Sequence, residues 1–223
     1  MDATLPFPSL VLRFAANPMR GLATARALLK GWWYKLYLPL RGVRFRAGRN
    51  FRVFGSLSVR GPGRVVFGRD VVLYGRVTPW THSRNAVITV GKGTHMDGVR
   101  IGCIQRVRIG SGCLFADCRI LDTDFHSTQA DRRSPDAPVR VAPVTIEDNA
   151  WIAGATALLP GTRIGLNSVV SFGSVCMREY PADVVIMGNP ARVASPLPAQ
   201  TDVGIPAPRA EKPAASRKPL VVR

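Results

Sequence analysis

Residues 146–181 read IEDNAW-IAGATA-LLPGTR-IGLNSV-VSFGSV-CMREYP, six hexads opened by Ile146, Ile152, Leu158, Ile164, Val170 and Cys176. Four positions after each of the first five anchors stands a small residue: Ala150, Thr156, Thr162, Ser168 and Ser174. A period of six is neither the 3.6 of an α-helix nor the 2.0 of an ordinary strand. It suits a parallel β-helix whose coils are triangles of three short strands, with one aliphatic side chain per side pointing inward. Coils then stack at about 4.8 Å, the anchors form a dry column, and the small residues let the chain turn inside a narrow prism. The fold class expected is therefore all-β, a parallel β-helix of hexapeptide repeats.

Working outward, the beat continues less regularly upstream. Phe45, Phe51 and Leu57 are six apart, as are Phe67 and Leu73, Val90 and Met96, and Ile109, Phe115 and Leu121. Offsets between these runs predict bulges or short corner loops, the clearest being residues 78–86. A larger interruption, residues 122–145, carries charges and three prolines and predicts a protruding loop of functional character. Val184–Met187 is expected to add a last edge strand. Residues 195–223, rich in Pro, Ala and basic residues without periodicity, read as a flexible tail. Ahead of the coils, residues 1–44 form an N-terminal segment in which 20–38 predicts an amphipathic helix interrupted near Gly31 and ended by Pro39. Leu22, Ala25, Leu29, Trp32 or Trp33 and Leu36 line one face. That stripe would either cap the open end of the β-helix, where strand edges need blunting, or sit at a lipid interface. The division expected is 1–44, 45–194 and 195–223.

The chain of 223 residues carries 31 Lys and Arg against 14 Asp and Glu, a formal charge of +17. Residues 1–60 hold eleven of the basic residues and one acid, Asp2. Such an excess either keeps a large β-surface soluble or draws the protein to an anionic membrane or anionic acceptor; no nucleic-acid-binding module accompanies it. No run of 18 apolar residues occurs and no signal peptide is evident, which predicts a cytoplasmic protein, peripheral at the inner membrane face. Cys103, Cys113, Cys118 and Cys176 show no zinc-type pairing and no need of a disulfide framework. Cys176 stands in the anchor register and is expected in the core.

Four pieces carry a resemblance: the hexads, Asp122–His126 (DTDFH) leading into the loop, residues 143–165 (PVTIEDNAWIAGATALLPGTRIG), and the closing GNPARV of residues 188–193. Over residues 45–194 the chain resembles the hexapeptide-repeat acyltransferases, and within them the sugar O-acetyltransferases of cell-envelope polysaccharide synthesis. The resemblance implies a left-handed helix, a homotrimer with active sites in the clefts between neighbouring prisms, and acetyl-CoA as acyl donor.

Its chemistry agrees with the residues present. A sugar hydroxyl attacks a thioester only as a base removes its proton, and His126 is the candidate general base. On an extended chain Asp124 and Asp122 share its parity, so spacing does not choose the orienting carboxylate; Asp124 is preferred. The oxyanion needs a backbone N–H, matched to Gly154 or Ala153. Trp151 would support the pantetheine groove or a trimer contact, Arg163 and Arg192 would meet CoA phosphates, and Pro190 and Ala191 would shape the groove's end. His82 and His95 are expected at solvent or a subunit contact. With one histidine per region and no close ligand pair, metal-dependent hydrolysis and a bound metal are not expected. The function expected is acetyl transfer to a sugar or glycolipid hydroxyl. The alternatives are another acceptor (serine, an antibiotic or an amino sugar) and an inactive β-helix scaffold.

Overall fold

The structure, a computed structural model, describes residues 18–198. Most of the predicted tail, 199–223, and residues 1–17 lie outside the described residues. One helix, α1 (Pro18–Leu40), precedes seven coils of short strands. The first two coils are β1 (Arg44–Ala47), β2 (Arg52–Val53), β3 (Ser56–Leu57), then β4 (Arg64–Phe67), β5 (Val72–Tyr74), β6 (Arg76–Thr81). The third is β7 (Val87–Val90), β8 (His95–Asp97), β9 (Arg100–Cys103). The fourth is β10 (Arg106–Ile109), β11 (Leu114–Ala116), β12 (Arg119–Leu121). After the loop come β13 (Val144–Ile146), β14 (Trp151–Ile152), β15 (Ala157–Leu158), then β16 (Arg163–Ile164), β17 (Val169–Val170), β18 (Val175–Cys176). The last coil is β19 (Glu179–Tyr180) and β20 (Val184–Gly188), with β21 (Ala191–Pro196) folded back on β20.

Every third strand pairs in parallel, making three faces. Face A is β1-β4-β7-β10-β13-β16-β19, face B is β2-β5-β8-β11-β14-β17-β20 and face C is β3-β6-β9-β12-β15-β18. Antiparallel β21 edges face B and runs through Pro196, slightly beyond the expected end of the domain. The architecture is the left-handed parallel β-helix expected. The six decisive anchors are buried and stack coil on coil: Ile146 on Ile164, Ile152 on Val170, Leu158 on Cys176. The small residues between them are buried as well, and their hydroxyls bond to the chain. Thr156 Oγ1 donates to the Ala153 carbonyl at 2.7 Å, Thr162 Oγ1 to the Cys176 carbonyl and Ser168 Oγ to the Pro181 carbonyl, both at 2.9 Å. A hydroxyl is affordable in this core because the corner backbone supplies its partner.

Upstream, the register differs from the simple beat. Phe45, Phe51 and Leu57 are buried but lie in the columns that later hold Val144, Ala150 and Thr156. The true anchor column of face B runs Val53, Leu73, Met96, Phe115, Ile152. In coil four the anchor is Ile120, paired with Ile101 and Leu158, while Leu121 is only half-buried. That corner is one residue shorter than a hexad allows. Of residues 78–86, the first four belong to β6, which runs to Thr81, and only 82–86 loop out.

Helix α1 runs unbroken through Gly31 and closes the open end of the first coil. Gly31 is where it touches: a Cβ there would stand 2.0 Å from the Phe51 carbonyl oxygen. Lys30 Nζ donates to the Gly55 carbonyl, and Lys35 Nζ to the Gly48 carbonyl at 3.3 Å. The Tyr34 hydroxyl accepts the Leu57 N–H at 3.3 Å. Exposed edge groups of the first coil thus gain partners. The face used is Ala27, Gly31 and Leu38, which are buried; Leu22, Leu29, Trp32, Trp33 and Leu36 point outward. Small residues let a helix backbone settle on a flat coil end, which a row of Leu and Trp would prevent.

Candidate active site

Coils turn from face A to B to C and back to A, and length varies mainly at the C-to-A corner. Residues 82–86 and the long loop after β12 both emerge there. The loop is closed at its root by a Thr123–Val141 bridge and by the Ala142 N–H donating to the Asp122 carbonyl at 2.9 Å.

Asp122 is fully buried beneath this root. Its carboxylate accepts the N–H groups of Ile104, Gln105 and Arg106, each at 2.7 Å, and the Cys103 thiol at 3.3 Å. Those bonds build the corner between β9 and β10, so the carboxylate faces the corner backbone. Asp124 is exposed, with its N–H donating to the Arg140 carbonyl at 3.1 Å. Between it and His126 the chain is not extended: Phe125 has φ 60°, the left-handed region that a bulky residue rarely enters. The parity argument therefore fails at Phe125. Packing holds the turn. The Phe125 ring covers Gly102, where a Cβ would meet Cζ at 2.7 Å, and meets the His82 ring edge-on at 4.7 Å between centroids. His82 in turn lies 4.4 Å from the Trp80 indole. With Phe125 turned inward, His126 projects outward, exposed and without a hydrogen-bond partner among the described residues.

Sequence reasoning missed the Trp80–His82–Phe125 stack; the signal was an aromatic pair in the short insertion, one coil pair before DTDFH. Burial lowers the His82 pKa, the Asp122 charge opposing it. His95 lies elsewhere, on face B beside Tyr74, its pKa lowered by burial and then by Arg52. Among the described residues no three His, Cys, Asp or Glu side chains are grouped to hold a metal ion.

The remaining site residues lie on other edges. Trp151 opens β14 on face B and is half exposed. Ala153 and Gly154 form the B-to-C corner, with Gly154 against the Phe172 ring. Pro190 lies in the turn from β20 into β21 and Ala191 and Arg192 open β21; the Tyr180 hydroxyl donates to the buried Ala191 carbonyl at 3.1 Å and Arg192 is exposed. Arg163 lies on face A and pairs with Glu147, whose other oxygen accepts the Leu166 N–H at 3.0 Å. A single chain thus separates His126 from the Trp151–Gly154 wall by the breadth of face C.

No family model matches the chain. It is 35% identical over 85 residues to the galactoside O-acetyltransferase of Lactococcus lactis, 38% of this chain and 41% of that protein. Against the galactoside O-acetyltransferase of Escherichia coli it is 34% identical over 87 residues, 39% and 42% of the two chains. The chain spans less than half the length of the curated relatives it matches. Among solved structures, the Bacillus cereus N-acyltransferase AntD superposes with TM-score 0.57 at 14% identity, covering 72% of this chain and 88% of that one. The fold is that of the hexapeptide-repeat left-handed β-helix acyltransferases, as the sequence resemblance implied.

Proposed function

We propose that the protein transfers an acetyl group from acetyl-CoA to a hydroxyl of a sugar or glycolipid, with His126 as general base. The observation that carries this is the turn at Phe125, which holds an unpaired imidazole outward at the loop root beside an aromatic surface. An imidazole without a partner is free to take the acceptor's proton as its oxygen attacks the thioester carbonyl. Trp80, 47% exposed at the same corner as His126, has its ring approached by His82 at 4.4 Å and by the Arg60 guanidinium at 5.9 Å, and would give a pyranose its remaining exposed surface. The relatives named galactoside O-acetyltransferase support a sugar acceptor.

The wall that would receive the thioester is Trp151, Ala153 and Gly154. An N–H of Ala153 or Gly154 would donate to the oxyanion, and the small side chains admit the pantetheine arm. Because one chain separates this wall from His126, the reading includes a homotrimer in which each cleft takes its histidine from one prism and its wall from the next. Pro190, Ala191 and Arg192 would border the outer end of that groove, with Arg192 meeting CoA phosphate. Arg163 would do so by exchanging Glu147 for phosphate. Asp124, exposed at the loop root, is the carboxylate available to orient the imidazole.

The test is release of CoA from acetyl-CoA by the full chain in the presence of sugars, amino sugars, nucleotide-sugars and lipid-linked saccharides, with mass spectrometry of the products. Acceptor-dependent release with an acetylated hydroxyl is expected, falling by about 10²–10⁴-fold in His126→Ala while CoA binding persists. No release and no CoA binding by folded protein would overturn the reading in favour of a scaffold.

A further inference from the structure

Helix α1 closes the β-helix with its small-residue face and turns its large apolar residues to solvent. Leu29 is 70% exposed, Trp32 64% and Trp33 55%; Leu22, Leu36 and Leu40 continue the same outward stripe over the length of the helix. Isolated exposed apolar residues are ordinary, but a continuous row opposite the packed face is not. The chemistry around the stripe is one-sided. From residue 18 to residue 69 the chain carries twelve Lys and Arg and no Asp or Glu, the first acid being Asp70. Lys30, Lys35 and Arg41 flank the stripe and spend hydrogen bonds on backbone carbonyls and the Tyr37 hydroxyl.

This pairing of features chooses the occupant. A second copy meeting this end of the molecule face to face would set cations against cations with no carboxylate to answer them. A surface that is apolar within and anionic at its boundary answers both features, and tryptophan is the residue that seats best at such a boundary. No helix among the described residues is long and apolar enough to cross a membrane, so α1 would lie along the surface. We propose that α1 docks the protein onto an anionic bilayer, inserting Leu22, Leu29, Trp32, Trp33, Leu36 and Leu40 while the exposed Arg26 and Arg41 beside the stripe meet lipid phosphates and Lys30 and Lys35 hold the helix to the first coil.

The prism then stands away from the bilayer. The loop bearing His126 leaves the fourth coil, three coil spacings from the first, which puts its root roughly 15 Å above the docked end. For the acetyl-transfer reading, on which this clause alone rests, the acceptor is a saccharide held near the membrane by a lipid.

The experiment uses the full chain and vesicles of phosphatidylcholine with or without phosphatidylglycerol, read by co-sedimentation and by quenching of tryptophan with lipids brominated in the acyl chain. A Trp80→Phe/Trp151→Phe background leaves only Trp32 and Trp33 to report. Binding to the anionic vesicles alone, weakened by salt, with both reporters quenched, is the expected result. The Leu29→Ser/Trp33→Ser/Leu36→Ser variant, checked for folding by circular dichroism, should bind at least about tenfold less. Vesicle binding without quenching would assign attachment to other basic segments and overturn the proposal. Equal binding by the triple variant would also overturn it. Absence of binding, or a smaller particle by light scattering in the triple variant, would assign the stripe to a protein contact instead. None of these readouts uses acetyl transfer, so docking and activity stand or fall separately.

Discussion

Asp122 and His126 share a loop root and serve it differently. The buried carboxylate answers three backbone N–H groups that turn the chain from β9 to β10. Asp122→Ala would leave those donors without an acceptor, and each unanswered donor costs about 1–3 kcal/mol. We predict a loss of about 3–5 kcal/mol, measured as a lower urea midpoint, with the loop root disordered. The cysteines give a second check. Burial pushes the thiols of Cys113 and Cys176 up to about 11 and that of Cys118 up to about 12. Native protein at pH 8 should resist iodoacetamide at these positions, and all should label once the chain is unfolded. His95 sets a pH trend. Its folded pKa lies below that of the unfolded chain, so the unfolded state binds more protons and stability falls as pH drops through the unfolded value near 6.5. His95→Gln should flatten that slope between pH 7 and pH 5 in thermal melts. The sequence singled out His126 and left two aspartates open beside it. What separates them is the β9–β10 corner of an earlier coil, whose N–H groups occupy the buried Asp122 carboxylate and leave Asp124 exposed, a relation that local spacing does not contain.

Among the elements, the coils fill the same interior slots with different residues. The slot two residues before each anchor holds Phe45, Phe51 and Leu57 in the first coil and Thr162, Ser168 and Ser174 in the sixth. Phe45, Phe51 and Phe67 meet with ring centroids 5.6–6.1 Å apart beneath α1. The six-residue beat is as clear in Phe45, Phe51 and Leu57 as in the later hexads, but there it counts the wrong slot. Periodicity reports spacing, and only the stacking of neighbouring coils reports phase. Helix α1 was legible as a helix and as a cap, while its packed face was not. A hydrophobic stripe is normally the buried one, and here close approach at Gly31 decides instead. Gly31→Ala would push a methyl group against the Phe51 carbonyl. Despite alanine's better helix propensity, we expect a net loss of about 1–3 kcal/mol, read as a lower melting temperature.

At the scale of the whole molecule, the prism sorts its tasks by edge and by end. The first coil carries the cap and its cationic, apolar exterior; the C-to-A corner carries the loop and His126; the B-to-C corner carries the Gly154 wall. The later hexads made the fold legible because anchors and small residues there repeat without insertions. The relation of the loop to the wall was not legible, since it depends on which corner each insertion occupies. That relation requires two chains for one site under the proposed function, and mixing variants tests it most directly. His126→Ala and Gly154→Trp, each inactive alone, should recover activity when unfolded together and refolded at equal amounts. Random assortment would pair an intact histidine with an intact wall in roughly a quarter of the clefts, and CoA release should return to about that fraction of the unsubstituted protein. Folded mixed assemblies with no CoA release above either parent, beside an active unsubstituted control, would contradict a site built from His126 of one prism and the Gly154 wall of its neighbour.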